Sequence, residues 1–451
     1  MTRPGMRLTL FFAMVFAGAT LGRAQDTHYW SIQYGPVGQL VGGQLIGGAT
    51  DLSATYYNPG ALALRNESSY LLSTESFQLE TLSSDPAPGL SILDTSSSHF
   101  GAAPALIAGI LPRWLGRDTQ LAWSFLTRQK LDVRAGQRIE NPLAGASRSA
   151  AESYFDQDAS EYWAGLTASH ALSDSVGLGM TWYGIYRGQR LRSELSVEGI
   201  GAENASVSAL GVKDFEYSHY RTLAKIGLSW HSEVWKTGLT VTTPSLSVLG
   251  SGKSAYTVSL AGVDGDHDGS LDAPTLVSET AEDLPAHYQS SWAVGAGASR
   301  AFGATRFYAS AEWYAPVARF TVIDVPAGSA VEGQLGQELG NVLNAGVGVE
   351  HVLNDDLSVY GAFHTDFSAS VGSAQVNVAV SDWDIYHVSG GVSFRIHDNR
   401  FTLGASWAQG GKTRALDTAI PANDVPATPL GSQVNIHYSK LTFLLGFVFG
   451  R

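Results

Sequence analysis

The last segment of the chain sorts its side chains onto two faces. Leu441, Phe443, Leu445, Phe447 and Phe449 fall on one face, and the residues between them fall on the other. Just before it, Phe401, Leu403, Ala405 and Trp407 alternate with Thr402, Gly404 and Ser406. A period of two is the signature of a β-strand with one apolar face. The pattern recurs upstream, with Val176, Leu178, Met180 and Trp182 set against Gly177, Gly179 and Thr181. Phe307, Ala309, Ala311 and Trp313 stand likewise against Tyr308, Ser310 and Glu312. Glycine on the second face suits a crowded interior. Strands that put apolar groups toward lipid and small or polar groups toward a lumen are those of a transmembrane barrel.

Such segments number about fourteen. They lie near 67–82, 98–112, 119–134, 158–172, 176–191, 213–231, 236–249, 284–300, 305–322, 341–353, 357–370, 383–396, 400–411 and 434–450. Tight links at Ser173-Asp174-Ser175, Asn354-Asp355-Asp356 and His397-Asp398-Asn399 alternate with long polar stretches near 135–157, 192–212, 250–283, 323–340 and 412–433. Loops beyond about 15 residues are uncommon in compact soluble domains. Alternating short and long connections are the habit of outer-membrane barrels, with short turns periplasmic and long loops outside. A soluble β-sandwich or propeller is the competing fold. Its strands would average about 5 or 6 residues, against about 12 to 18 here, and a propeller would repeat every ~40 residues. The expected fold is therefore all-β: a transmembrane antiparallel barrel of about fourteen strands over 63–451.

The amino terminus places the chain outside the cytoplasm. Arg3 and Arg7 precede an apolar run from Leu8 to Leu21, and Gly22 and Ala24 supply small residues before Gln25. Residues 1–24 read as a cleaved signal peptide, the run being shorter than the ~20 residues of a spanning helix. A closed barrel is the other structure that satisfies every backbone group in lipid. A formal net charge of −13 with no basic tract argues against nucleic acid as partner, since that affinity comes from Lys and Arg on phosphates. The chain has no Cys, which removes disulfides, thiolate nucleophiles and Cys-ligated metals.

Residues 25–62 do not read as a strand. Gly35, Gly38, Gly42, Gly43, Gly47 and Gly48 permit tight turns and close backbone approach, and Leu40, Val41, Leu45 and Ile46 lie between them. Gly-rich linkers are usually polar, whereas this one is apolar enough to pack inside a barrel wall. It is expected to be a plug, or hatch, with a flexible periplasmic leader as the alternative. Within it, Gly47, Gly48, Ala49, Thr50 and Asp51 lead through Tyr56, Tyr57, Asn58 and Pro59 to Gly60, Ala61 and Leu62. This run resembles the amino-terminal signature of the FadL family of outer-membrane transporters for hydrophobic compounds. That family usually has Asn-Pro-Ala-Gly-Leu, so Gly60 and Ala61 stand in swapped order. Further similarity covers Pro104 to Pro112, Gly238 to Ser245, Leu284 with Pro285, Asn344 to Glu350 and Ser381 to His387. The resemblance spans nearly the whole mature chain. It implies fourteen strands, an inward-folded hatch, ligands such as long-chain fatty acids, and a sideways exit at a kinked third strand. No Pro or Gly lies between Asp118 and Arg134 to mark such a kink. Such barrels also tend to end on an aromatic residue, whereas Phe449 precedes the terminal Arg451 by two.

Several residues invite chemistry. Asp264, Asp266 and Asp268, followed by Gly269 and Asp272, place alternate carboxylates as a calcium loop does, although Thr275 stands where its bidentate Glu would be. They make either an extracellular Ca2+ site or a solvated acidic loop. No other cofactor is expected. Arg187, Lys225, Glu312, Glu350, His364, Asp366 and Arg395 alternate toward the lumen. They would form networks supporting the plug, or offer a cation to a ligand carboxylate. Asn58 and Tyr57 read as turn and packing residues of the hatch. His364 with Asp366 is the best acid–base pair for an enzyme, with no marked Ser nearby. The expected function is uptake of small hydrophobic molecules, such as fatty acids, by an outer-membrane monomer in contact with lipid. A general diffusion porin is the rival, and a barrel enzyme comes behind it.

Overall fold

The computed structural model describes residues 27–64, 70–84, 90–93, 95–112, 116, 118–140, 148–200, 206–262, 270–330, 336–371, 382–415 and 433–449. The signal-peptide reading falls outside them, as do Asp264, Asp266 and Asp268. Asp272 is described, and is exposed in a loop.

The wall begins with β1 (Tyr70–Ser84), β2 (Leu90–Leu93), β3 (Thr95–Leu111) and β4 (Thr119–Glu140). It continues through β5 (Arg148–Ser173), β6 (Val176–Ile200), β7 (Ser206–His231), β8 (Trp235–Thr242) and β9 (Leu246–Ala261). Next come β10 (Thr275–Pro285), β11 (Ala293–Phe302) and β12 (Thr305–Tyr314). β13 (Val317–Thr321) and β14 (Gly336–Leu339) form a small separate sheet. β15 (Val342–Asn354), β16 (Leu357–Asp366), β17 (Ile385–Ile396), β18 (Asn399–Ala415) and β19 (Gln433–Phe449) complete the chain. Seventeen of these strands make one antiparallel sheet, closed where β1 pairs with β19 from Tyr70↔Phe449 to Ser84↔Ile436. β2 with β3, β8 with β9 and β10 with β11 each make one stave, so the wall has fourteen staves. That is the barrel the alternation predicts.

The face assignments also hold. Along β7, Trp230, Leu228, Ile226 and Tyr220 are exposed, while Arg221, Leu223, Lys225, Gly227 and Ser229 are buried. Ten residues separate Trp230 from Tyr220, which at about 3.3 Å rise and a tilt of roughly 40° is about 25 Å, the height of a lipid-facing band. Aromatic rings mark both rims: Trp230, Trp235, Phe302 and Phe307 near the short turns, and Tyr186 against Tyr220 (5.1 Å) and Phe125 against Tyr162 (6.0 Å) higher up. On β19, Phe443 and Phe449 point out, while Thr442, Leu444 and Gly446 are buried. Leu445→Arg on the outer face should cost about 2 to 4 kcal/mol, a charge placed in lipid. Thr442→Arg, turned to a lumen pocket that also holds Glu75 and Lys440, should cost clearly less. Urea unfolding of the protein in vesicles measures both, and equal losses would mean that the faces are reversed.

Three expectations are corrected. The polar stretches 135–157, 192–212 and 250–283 are not loops throughout. β4 to β7 run 22, 26, 25 and 26 residues, and ladders continue to Glu140↔Ala150 and Ile200↔Ser206. Above the lipid the outward face meets water, as at Arg192 and Glu198, while inward Leu191, Val197 and Val207 stay buried, so the apolar side of the alternation reverses while backbone pairing persists. The strand expected over 236–249 breaks at 243–245, where Pro244 has no N–H to donate to a ladder. The strands expected over 284–300 and 305–322 are likewise interrupted, at 286–292 and after Tyr314.

Candidate functional site in the barrel lumen

Residues 27–64 lie inside the wall, and nearly all are buried. The end nearer the long loops is held by backbone donors meeting one carboxylate. Asp366 accepts from the Tyr29 and Trp30 N–H groups (3.0 and 2.8 Å) and from Ser31 Oγ (2.7 Å). His28 Nε2 donates to the Trp383 carbonyl (2.9 Å), and the Ala369 N–H donates to the Thr27 carbonyl (3.1 Å). The segment then descends through two short helices, α1 (Pro36–Leu40) and α2 (Ala54–Tyr57), and a 3-10 turn over Pro59–Leu64.

The sequence-predicted signature residues are its points of contact. Gly42 and Gly43 take positive φ (61° and 79°), the turn that returns the chain below α1. Gly47 backs onto the Gly297 backbone and Gly48 onto the Tyr308 ring. Asp51 accepts from the Ser53 N–H (2.9 Å) and from its hydroxyl. Asn58 Nδ2 donates to the Ile46 and Leu228 carbonyls (2.8 and 3.0 Å), and Oδ1 accepts from the Gly60 N–H (3.0 Å). Asn58 thereby ties the stretch at Ile46 and its own turn to the wall. Pro59 follows it against Gly179 and Gly227. A Cβ at Gly60 would fall 2.5 Å from the carbonyl oxygens of both Gly177 and Gly227, so only glycine fits there. Tyr56 packs on Tyr34 (4.3 Å) and Tyr57 (5.3 Å). Tyr57 Oη accepts from the Tyr34 N–H (2.9 Å) and donates to Gln33 Oε1 (3.1 Å). Burial pushes the Tyr34 and Tyr57 phenols well above their ordinary range, so both remain donors.

The expected lumen residues divide into separate networks. Lys225 Nζ meets Glu312 Oε1 at 3.2 Å, and Glu312 Oε2 accepts from Trp30 Nε1 (3.1 Å) and Tyr314 Oη (2.6 Å). Glu350 accepts from Tyr308 and Tyr360 hydroxyls (2.6 and 2.8 Å). His364 stacks on His387 (4.3 Å) and faces Gln33, so it and Asp366 serve different partners instead of forming an acid–base pair. Arg395 corrects the expectation of an interior role. It keeps inward parity but sits at the turn-end rim, exposed, because the strand ends one residue later.

Arg187 is part of a constellation that alternation alone does not single out. Its Nη1 lies 3.0 Å from Glu161 Oε2, and Arg221 Nη2 lies 2.7 Å from the same oxygen. The Tyr288 ring sits 4.3 Å from both guanidinium carbons. With Arg128 they line a cavity of about 70 Å3, alongside Trp163, Leu223, Ser291 and Tyr314. Three guanidiniums face one carboxylate. Arg187 Nη2 and Arg221 Nε and Nη1, all buried, have no hydrogen-bond partner among the described residues. Parity could have found Arg221, four residues before Lys225, and Glu161, two before Trp163. Arg128 had no such signal, since it occupies a bulge, and Tyr288 lies in the broken stave.

That bulge bears on the wall. β4 slips register against β5 between Thr127 and Gln129. On its other side, the β3–β4 ladder ends at Leu106↔Leu126, and β4 pairs again only with β2 from Gly136↔Leu93. Among the described residues no ladder joins β3 to β4 over 127–135. Tyr34 Oη donates to the Thr127 carbonyl (3.2 Å), tying the inner segment to the edge of this parting.

No family model and no curated protein matches the chain. Solved structures do. A FadL homologue of Pseudomonas aeruginosa is similar over 94% of this chain and 99% of that one, with a TM-score of 0.59 at 12% identity. This chain has the FadL-like fold. A TodX deltaS2S3 mutant, described as a monoaromatic hydrocarbon channel, superposes on this FadL-like barrel with a TM-score of 0.60 at 11% identity, over 93% and 100% of the two chains. The Ralstonia pickettii toluene transporter TbuX gives 0.50 at 14% identity, over 92% and 98%. The FadL-like barrel thus carries its inner segment, its arginine cavity and its β3–β4 parting in one closed wall.

Proposed function

We propose that this protein is an outer-membrane channel for hydrophobic compounds that end in an acidic group. In this reading residues 27–64 act as a hatch across the axis, and the parting between β3 and β4 gives the ligand a sideways exit. The observation that carries it is the set of unpartnered guanidinium nitrogens around the cavity. Arg187 and Arg221 are 1% and 2% exposed and share one carboxylate, Glu161, itself 4% exposed. Buried positive charge in excess of its counter-charge is costly, and a ligand carboxylate offsets it with bidentate, charge-assisted bonds. Hydrocarbon channels of this fold have no need of such an anchor. The apolar Trp163, Leu223 and Ala293 of the same cavity suit the carbons next to the acid group.

Arg221→Gln should weaken octanoate binding to the purified barrel by roughly tenfold to a hundredfold, the value of one hydrogen bond to a charged group. Toluene binding should hardly change. Titration of each compound, followed by Trp fluorescence, reads the difference. Equal affinity for octanoate in wild type and variant would leave a hydrocarbon channel without an acid anchor.

A further inference from the structure

The wall parts a second time, five staves round from the first. β8 pairs with β11 as far as Thr242↔Ala293, and β9 pairs with β10 only from Ser251↔Pro285. Between these points, residues 243–250 and 286–292 face each other with no ladder among the described residues. Each lip is held by its own neighbour. On one side Leu246↔Thr222 and Leu249↔Tyr220 keep β9 on β7. On the other, the Ala286↔Ile323 bridge, the His287 N–H on the Val322 carbonyl (2.8 Å) and the Ala315 N–H on the Trp292 carbonyl (2.9 Å) hold the broken stave to the next. Across the gap the Ser245 N–H donates to Ser290 Oγ (3.0 Å), and near its top Ala286 N lies 3.4 Å from the Gly250 carbonyl. Pro244 accounts for part of the parting, having no N–H to offer.

The gap's two sides differ in chemistry. Its outer rim carries Leu246, Val248, Leu249 and Trp292, exposed by 70%, 63%, 59% and 49%. Its inner side is the arginine cavity itself, for Thr242, Tyr288, Ser291 and Ala293 line it. Thr243 lies eight residues past Trp235, so the gap begins about 20 Å above the short turns, in the outer leaflet. The cavity's volume, about 70 Å3, is room for an acid group and a few waters at roughly 15 Å3 each. A long tail does not fit within it.

We infer that this parting is a lateral loading port. An anionic amphiphile resident in the outer leaflet passes its head between Ser245 and Ser290 to Arg187 and Arg221, while its tail stays among Leu246, Val248 and Trp292. The β3–β4 parting, which Arg128 borders from the same cavity, is then left for exit. The inference rests on the acid-anchor reading of the cavity, and it is tested apart from that reading.

Because the chain has no Cys, Ser245→Cys with Ser290→Cys introduces a single reducible bridge at the pair already in contact across the gap. Loading of dansyl-undecanoate from the vesicle bilayer into the reconstituted barrel is followed by energy transfer from Trp. Oxidation should slow loading at least tenfold, and a reductant should restore it in the same sample. Affinity for octanoate offered from water to detergent-solubilised protein should differ by no more than twofold between the oxidised and reduced forms of this variant, a comparison in which the replacement of Ser290, itself a lining residue of the cavity, cancels. The reduced form controls for folding. Unchanged loading in the oxidised form, with the bridge verified by mass, overturns the port while leaving the anchor intact. Loss of octanoate affinity on oxidation also overturns it, since the bridge would then be acting on the site and not on the path. A failed anchor shows separately, in Arg221→Gln.

Discussion

Deletion of residues 27–50 is expected to turn a barrel that is nearly silent in planar bilayers into one that conducts steadily. Every strand of the wall lies between Tyr70 and Phe449, so the deletion removes no rung of any ladder. It does remove Leu40, Val41, Leu45 and Ile46, each at most 2% exposed and packed in the lumen. Gly297, Gly348, Gly391 and Gly446, whose bare backbones receive the segment, would then face water. Heat-modifiable migration should show the deleted form still assembled. Steady conductance from the intact protein would remove the hatch and leave a porin. Silence in both forms would place the block in the loops.

Glu312→Ala should be strongly destabilising, at about 3 to 5 kcal/mol, because it strands a buried charge. Lys225 is 3% exposed, and Glu312 is its ion-pair partner. The same carboxylate holds Trp30 Nε1 and Tyr314 Oη, so the loss should also loosen the upper end of the inner segment. Replacing both partners, Glu312→Leu with Lys225→Met, should recover most of the loss, since a buried pair exchanged for apolar groups is often neutral. Unfolding midpoints in urea decide this. If the double variant is no more stable than Glu312→Ala, the pair does more than neutralise itself.

What could be read from the sequence followed from which faces meet lipid. Leu403, Trp407 and Trp230 alternate with small or polar neighbours because one side of each strand touches acyl chains. The inward packing of residues 27–64 was legible for a related reason: apolar residues between glycines need a surface to pack on, and Gly60 meets Gly177 and Gly227 backbone to backbone. The strand extensions over Arg134–Glu140 and Arg192–Ile200 were not legible. There the outward side chains meet water instead of lipid, as Arg192 and Glu198 do, so a paired strand carries the polar residues expected of a loop. The arginine cavity was half legible. Arg187 was singled out by parity, whereas Arg128 and Tyr288 sit where register slips or the stave breaks, and single-chain periodicity carries no record of a neighbour's register. Pro244 was the one local sign of the second parting.

The seam between β1 and β19 joins the two ends of the barrel chain, and this sets an order of assembly. Pairing of Tyr70 with Phe449 spans nearly the whole chain, so it is among the last and slowest contacts to form. The inner segment precedes β1, one edge of that seam, and β1 also holds Ser73, whose hydroxyl accepts from the Gly35 N–H. A segment tethered to the closing edge has to be folded inward before the edges meet. Enclosing the inner segment and sealing the wall are therefore one event, and a variant that delays its docking should accumulate open, unsealed barrels during refolding into lipid.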